Sequence, residues 1–173
     1  MSSQAQSRHA FDPSLNPTLA PVGERGMEYL CIVYHEDAKL AALPEAELRD
    51  IVRGTIAWVA DLERNGRHVL SAGLQSVATA VTVRNRNGTI STTDGPFAET
   101  KEHFGGFTIL RARDLNEAIA IASRLPATLI GSVEVRPLLK PDVALTTALD
   151  RKISTAILQC MSEAGASVAG KSA

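Results

Sequence analysis

EYLCIVYHEDAKLAALPEAELRDIVRGTIAWVADLERNGRHVLS, residues 28–71, decides the fold class. Tyr29-Leu30-Cys31-Ile32-Val33-Tyr34 is a near-continuous apolar run rich in strand formers, so it reads as a buried first strand. His35-Glu36-Asp37 ends that strand with polar groups. Pro44 then opens a helix, at the first-turn position that proline tolerates. Leu48, Ile51, Val52, Ile56, Val59 and Leu62 recur at steps of three and four and predict one apolar stripe. Asn65-Gly66 supplies the stop, and His68-Val69-Leu70-Ser71 begins a second strand. Strand, helix and strand in that order form the seed of a mixed α+β domain.

Downstream the pattern continues. Ala78 to Arg84 alternates Val81 and Val83 with Thr82 and Arg84, Asn85-Arg86-Asn87-Gly88 carries turn residues, and Thr89-Ile90-Ser91-Thr92 returns, which predicts a hairpin. Gly105 to Leu110 is a further strand. Asp114 with Glu117 three residues later predicts a capped helix start, with Leu115, Ala118, Ile119, Ala122 and Leu125 facing inward and Pro126 as the stop. Ser132 to Leu138 alternates as a last strand. Without the inserted hairpin the order is βαββαβ, the ferredoxin-like plan. Two helices would cover one face of an antiparallel sheet. The strands are apolar on both sides in places, so the other face calls for a second copy, and a homodimer is expected.

Both ends differ from this middle. Residues 1–26 mix Ser, Gln, Asn and Pro without a period and are expected to be a disordered, dispensable extension. Residues 27–140 form the domain. In residues 141–173, Leu145, Leu149, Ile153, Ile157 and Met161 repeat at steps of four, which predicts an amphipathic helix followed by a tail frayed from Gly165.

Composition narrows the function classes. The 173 residues carry a formal net charge of -1 and no basic run, which argues against direct nucleic-acid binding. Two cysteines, Cys31 and Cys160, make neither a disulfide framework nor a zinc motif. No apolar stretch is long enough to cross a bilayer, and no signal segment opens the chain, so a cytoplasmic location is expected. His35-Glu36-Asp37 lacks metal-ligand spacing, and Gly105-Gly106 opens a strand without the Lys-Ser/Thr of a phosphate loop. No metal and no other cofactor is predicted.

Asp94-Gly95-Pro96-Phe97-Ala98-Glu99-Thr100-Lys101-Glu102-His103 crowds carboxylate, ammonium and imidazole into a few positions, the condition for shifted pKa values and acid–base chemistry. Asp94 and His103 are therefore the candidate catalytic residues, as proton acceptor or donor. Lys101, Glu102, Gln75 and His35 are candidate ligand contacts, with Lys101 suited to hold an anionic group. His35 and His68 flank neighbouring strands, and their convergence would add imidazoles to the same place. Each residue also has a purely structural reading. Asp94 would cap the Gly-Pro turn through backbone N–H groups, Phe97 would anchor that turn in the core, and Lys101 and Glu102 would be a solvated surface pair.

Met27-Glu28-Tyr29-Leu30, Gly73-Leu74-Gln75, the run Asp94 to Glu102, Gly105-Gly106-Phe107, Asp114-Leu115 with Glu117-Ala118, and Val133-Glu134-Val135-Arg136-Pro137 together resemble the YCII-related, DGPF-motif proteins. The resemblance spans Met27 to about Leu138. It implies a ferredoxin-like fold, a dimeric α/β barrel and a shallow cleft. It also implies a link to sigma factors of the extracytoplasmic type, beside or fused to which relatives are often encoded. By analogy with muconolactone isomerase-like dimers it points to enzymatic activity. Relatives commonly carry an acidic residue just before Gly-Leu-Gln, whereas this chain reads Ser71-Ala72-Gly73. Three roles stay open: a ligand-binding or regulatory dimer with a small molecule or a sigma factor as partner, a small lyase- or isomerase-like enzyme, and a structural dimer without a ligand.

Overall fold

A computed structural model describes residues 26–140 and 147–169. The extension before Gly26 and residues 141–146, with Leu145 of the predicted stripe, lie outside the described residues. The chain divides into two compact units, the first ending at Arg136 and the second beginning at Pro137.

Up to the boundary between the units, β1 is Met27–His35, α1 Asp37–Ala41, α2 Glu45–Arg64, β2 His68–Gly73, β3 Val81–Arg86, β4 Thr89–Asp94, β5 His103–Ala112, α3 Leu115–Ala122 and β6 Gly131–Pro137, whose last residue opens the second unit. Short 3-10 turns at Val77–Thr79 and Pro126–Leu129 complete the first unit. The result is a mixed α+β unit with two separate sheets. Four strands lie in the order β2-β5-β1-β6, and β3 and β4 form a sheet of their own. β5 pairs antiparallel with both β1 and β2. Among the described residues neither sheet closes into a barrel.

The hairpin turns on two residues rather than four. Asn87 and Gly88 have φ of 53° and 81°, the left-handed pair that matches strand twist, so Asn85 and Arg86 stay in β3. The short helix α1 had no apolar period to announce it. In the second unit, α4 spans Ala148–Ala169, past Gly165. Thr147 caps it, its Oγ1 accepting from the Asp150 N–H at 3.0 Å. Leu149, Ile153, Ile157 and Met161 fall within it at steps of four.

The core joins Tyr29 and Cys31 of β1, Trp58 and Leu62 of α2, Leu110 and Ala112 of β5, and Ala118, Ile121 and Ala122 of α3. Burial pushes the Cys31 thiol up to about 12, so it packs as a small apolar group and stays protonated at neutral pH. Both helices present a face rotated from the one their aliphatic spacing predicts. On α2 the buried positions are Gly54, Trp58 and Leu62, while Val52 and Ile56 are exposed, Ile56 by 65%. Trp58 sets this rotation, its Nε1–H donating to the Ile121 carbonyl at 3.1 Å. Gly54 lets the helix meet Pro126, whose Cγ would lie 2.8 Å from any Cβ there. On α3, Leu115 and Ile119 are exposed and Ile121 is buried in their stead.

A buried ion pair fixes the start of α3. The Arg67 side chain is 2% exposed, and its Nη2 donates to Glu117 Oε1 at 3.0 Å. The Asp114 cap is formed, with Oδ1 accepting from the Glu117 N–H at 2.8 Å. The Glu117 carboxylate, however, turns to the Arg113 N–H at 2.7 Å and to Arg67. Burial alone would raise this carboxyl, but hydrogen bonds from Arg67 and Arg113 outweigh it and hold Glu117 at about 2, below its ordinary 4.5. A depressed folded-state pKa stabilises the fold above the unfolded value, and that stability is lost as pH falls through the folded one. The unfolding free energy should therefore fall as pH drops from about 4.5 toward 2. Glu117→Gln should lose stability at pH 7, on the order of 3 kcal/mol, by removing the counter-charge of the buried guanidinium. It should also flatten that acid limb, as urea unfolding across this pH range would read.

Candidate functional site

β1 and β5 run side by side to their polar ends, and the register there is irregular. Val33 pairs with Gly106, then Tyr34 with Phe104 and His35 with His103, so Gly105 is the extra residue of a bulge on β5. The bulge sets two histidines opposite each other. It also turns Gly105 beneath the His35 ring, where a Cβ would collide with His35 Nε2. Only glycine admits the imidazole at this closeness.

α1 begins two residues after His35, which brings its first residue back over the ring. Asp37 Oδ1 lies 3.5 Å from His35 Nδ1, within ion-pair range. The Leu74 N–H donates to the Gly105 carbonyl at 2.8 Å, and this draws the segment after β2 against the bulge. Ser76 Oγ then donates to Asp37 Oδ2 at 2.7 Å. The Asp37 carboxyl is held below its ordinary range by the Ser76 hydroxyl first, with further help from the His35 charge, the Val77 N–H and the His103 charge. An ionised carboxylate beside Nδ1 favours the proton on that nitrogen and leaves Nε2 basic. His35 Nδ1 and His103 Nδ1 are both buried without a hydrogen-bond partner among the described residues. With Asp37 in ion-pair range of His35 Nδ1, the unmet His103 Nδ1 marks a place where a ligand or water can be held.

Charged groups surround the pair. Lys39 Nζ meets Glu36 Oε1 at 2.7 Å, and this bond, with the charges of Glu36 and Glu102, raises the ammonium above its usual range. Glu102 Oε2 accepts from Ser132 Oγ at 3.1 Å. Of the residues that the sequence singles out, the structure brings His35, His103 and Glu102 to this end of the sheet. Gln75 stands beside Ser76 with its side chain exposed, and Lys101 is exposed next to Glu102.

Asp94 makes no described bond to these groups. It ends β4 opposite Val81, and none of the described hydrogen bonds or ion pairs uses its carboxylate. The Gly-Pro turn is held by other groups: the Gly95 N–H donates to the Ala80 carbonyl at 2.8 Å and Thr82 Oγ1 to the Gly95 carbonyl at 2.9 Å. Phe97 is no core anchor, being 82% exposed with the Arg84 guanidinium 6.0 Å from its ring centre. His68 does not converge with His35. His68 pairs with Leu110 and His35 with His103 on the same strand, seven residues and roughly 20 Å apart. Among the described residues no group of three His, Cys, Asp or Glu is arranged for a metal ion. No helix among them is long and apolar enough to cross a membrane. A shallow apolar groove of about 340 Å³, lined by Ile119, Ala122, Val133 and Val135, includes none of the histidine cluster.

Sequence reasoning left out Asp37 and Ser76. They are far apart in the chain, and only the β5 pairings bring them together.

A family profile described as the YCII-related domain matches residues 27–141. The chain belongs to the YCII-related family. An uncharacterized protein of Rhizobium meliloti (strain 1021) is 34% identical over 116 residues, covering 65% of this chain and 92% of that protein. The family stretch includes His35, Asp37, Ser76 and His103, so the whole cluster lies inside the YCII-related domain.

Proposed function

We propose that the domain binds a small polar molecule at the His35–His103 end of its sheet and moves a proton on it. The observation that carries this reading is the two histidines opposite each other in the β1–β5 register, His35 with its Nδ1 in ion-pair range of an ionised Asp37 and His103 with a buried Nδ1 that no described hydrogen bond meets. His35 Nε2 takes the proton as general base, Asp37 steadies the imidazolium that results, and His103 returns a proton to the other side of the substrate. Proton abstraction and return without a nucleophile is the chemistry of a small isomerase or lyase. Asp94, placed first by the sequence, gives way to Asp37 as the carboxylate of this site. Ligand binding without turnover would use the same groups. Docking to a sigma factor rests on no feature of the cluster.

The strand order β2-β5-β1-β6 supports the ferredoxin-like reading of the fold. Tyr34, Phe104 and Phe107 form a ladder of rings, with centres 6.3 Å apart at each step, and Phe104 and Leu70 are exposed. A second copy packed on this ladder is the assembly we favour. Sedimentation at micromolar concentration should then give twice the chain mass, and a clean monomer would contradict it.

The proton-transfer reading is tested with a panel of small lactones, enones and 2-oxo acids in deuterated water. NMR should show solvent deuterium entering an acidic C–H position of at least one compound. His35→Gln should slow that exchange by roughly 100-fold or more, the usual loss on removing a general base. No exchange across the panel, or full exchange in His35→Gln, would count against it.

A further inference from the structure

We infer that Ser76 is the positioning residue of this site: it acts through Asp37, and it links the segment after β2 to the proton-transfer groups. The inference rests on the proposed His35–Asp37 pairing and adds what controls it. Ser76 Oγ is held at both ends. It accepts from the Ala78 N–H at 3.3 Å, which fixes it to the short turn Val77–Thr79, and donates to Asp37 Oδ2 at 2.7 Å. Thr79 Oγ1 ties the same turn back to the Ser76 carbonyl at 2.8 Å. One carboxylate oxygen of Asp37 is thereby committed to the serine, and the other, Oδ1, is left toward His35 Nδ1.

The geometry explains why a serine is needed. Asp37 sits at the start of a five-residue helix whose Glu36 makes no side-chain capping bond, so α1 itself does little to fix the Asp37 rotamer. The Asp37 carboxylate faces His35 from β1, His103 from β5, and the Ser76 hydroxyl and Val77 N–H from the turn. Glu36, Lys39 and Glu102 complete the charged surroundings. Among these only Ser76 and Val77 are neutral donors, and they keep their bonds whichever protonation state the histidines adopt. The serine arm thus holds Asp37 in place while the charge on His35 comes and goes.

The test follows the Asp37 carboxyl carbon by ¹³C NMR through an acid titration of the full chain. Ser76→Ala should raise the Asp37 midpoint, and by more than His35→Gln does. Ser76→Thr, which keeps the hydroxyl, should restore it. The unfolding midpoint of Ser76→Ala at pH 7 should stay close to that of the unaltered chain, because the bond is exposed. An Asp37 midpoint unmoved in Ser76→Ala, or failure of threonine to restore it, overturns the positioning role. A midpoint that rises in Ser76→Ala but is unmoved in His35→Gln overturns the His35–Asp37 pairing itself, so the two failures are told apart.

Discussion

β5 hydrogen-bonds to β1 on one edge and to β2 on the other, and nearly everything else in the first unit is placed by those two ladders. Cys31 pairs with Thr108 and Tyr29 with Leu110, so alternation sends Tyr29, Cys31 and Leu110 to the side that α2 and α3 cover. A one-residue slip of either strand would turn its own side chains over and take its share of that set out of the core. Register is therefore strongly specified along the middle of the pair. The bulge at Gly105 is tolerated only at its end, where burial is weaker. There the chain exchanges packing for an unusual geometry: an imidazole over a glycine, a second imidazole across the ladder, and polar atoms left unmet.

The element order was legible because each element has a local cause. The apolar run Tyr29–Tyr34, the punctuation by Asn65-Gly66 and Asn87-Gly88, and the Asp114 cap all act within a few residues. Helix rotation was less legible. Counting aliphatic residues favours Val52, Ile56 and Ile119. One tryptophan N–H that needs a buried carbonyl, and one glycine that admits Pro126, outweigh several methyl groups that can stay wet. The site was half legible. His35, His103 and Glu102 stand out as chemistry-bearing residues near strand ends. Asp37 reads as an ordinary polar stop after β1 and Ser76 as an ordinary loop residue. Their meeting depends on the Leu74–Gly105 bond, which joins segments distant in sequence and has no local signature.

The DGPF stretch takes a different role from the one its density of charge suggests. Its backbone is fastened by Ala80 and Thr82, its aspartate makes no described bond, and its phenylalanine lies under Arg84 at the surface. From Thr100 onward the stretch feeds Glu102 and His103 into the histidine cluster. The motif thus leads into the start of β5, while in the proposed site the carboxylate is Asp37 of α1. The YCII-related match covers α1, the turn after β2, the DGPF stretch and the bulge in one continuous span.

In the proposed site Asp37 holds a proton on His35 Nδ1 and leaves Nε2 free as a base. Ring-nitrogen chemical shifts report this tautomer directly. A long-range ¹H–¹⁵N spectrum of the full chain, at a pH where His35 is neutral, should show a protonated Nδ1 and an unprotonated Nε2. His35 in the opposite tautomer, with the proton on Nε2, would contradict it.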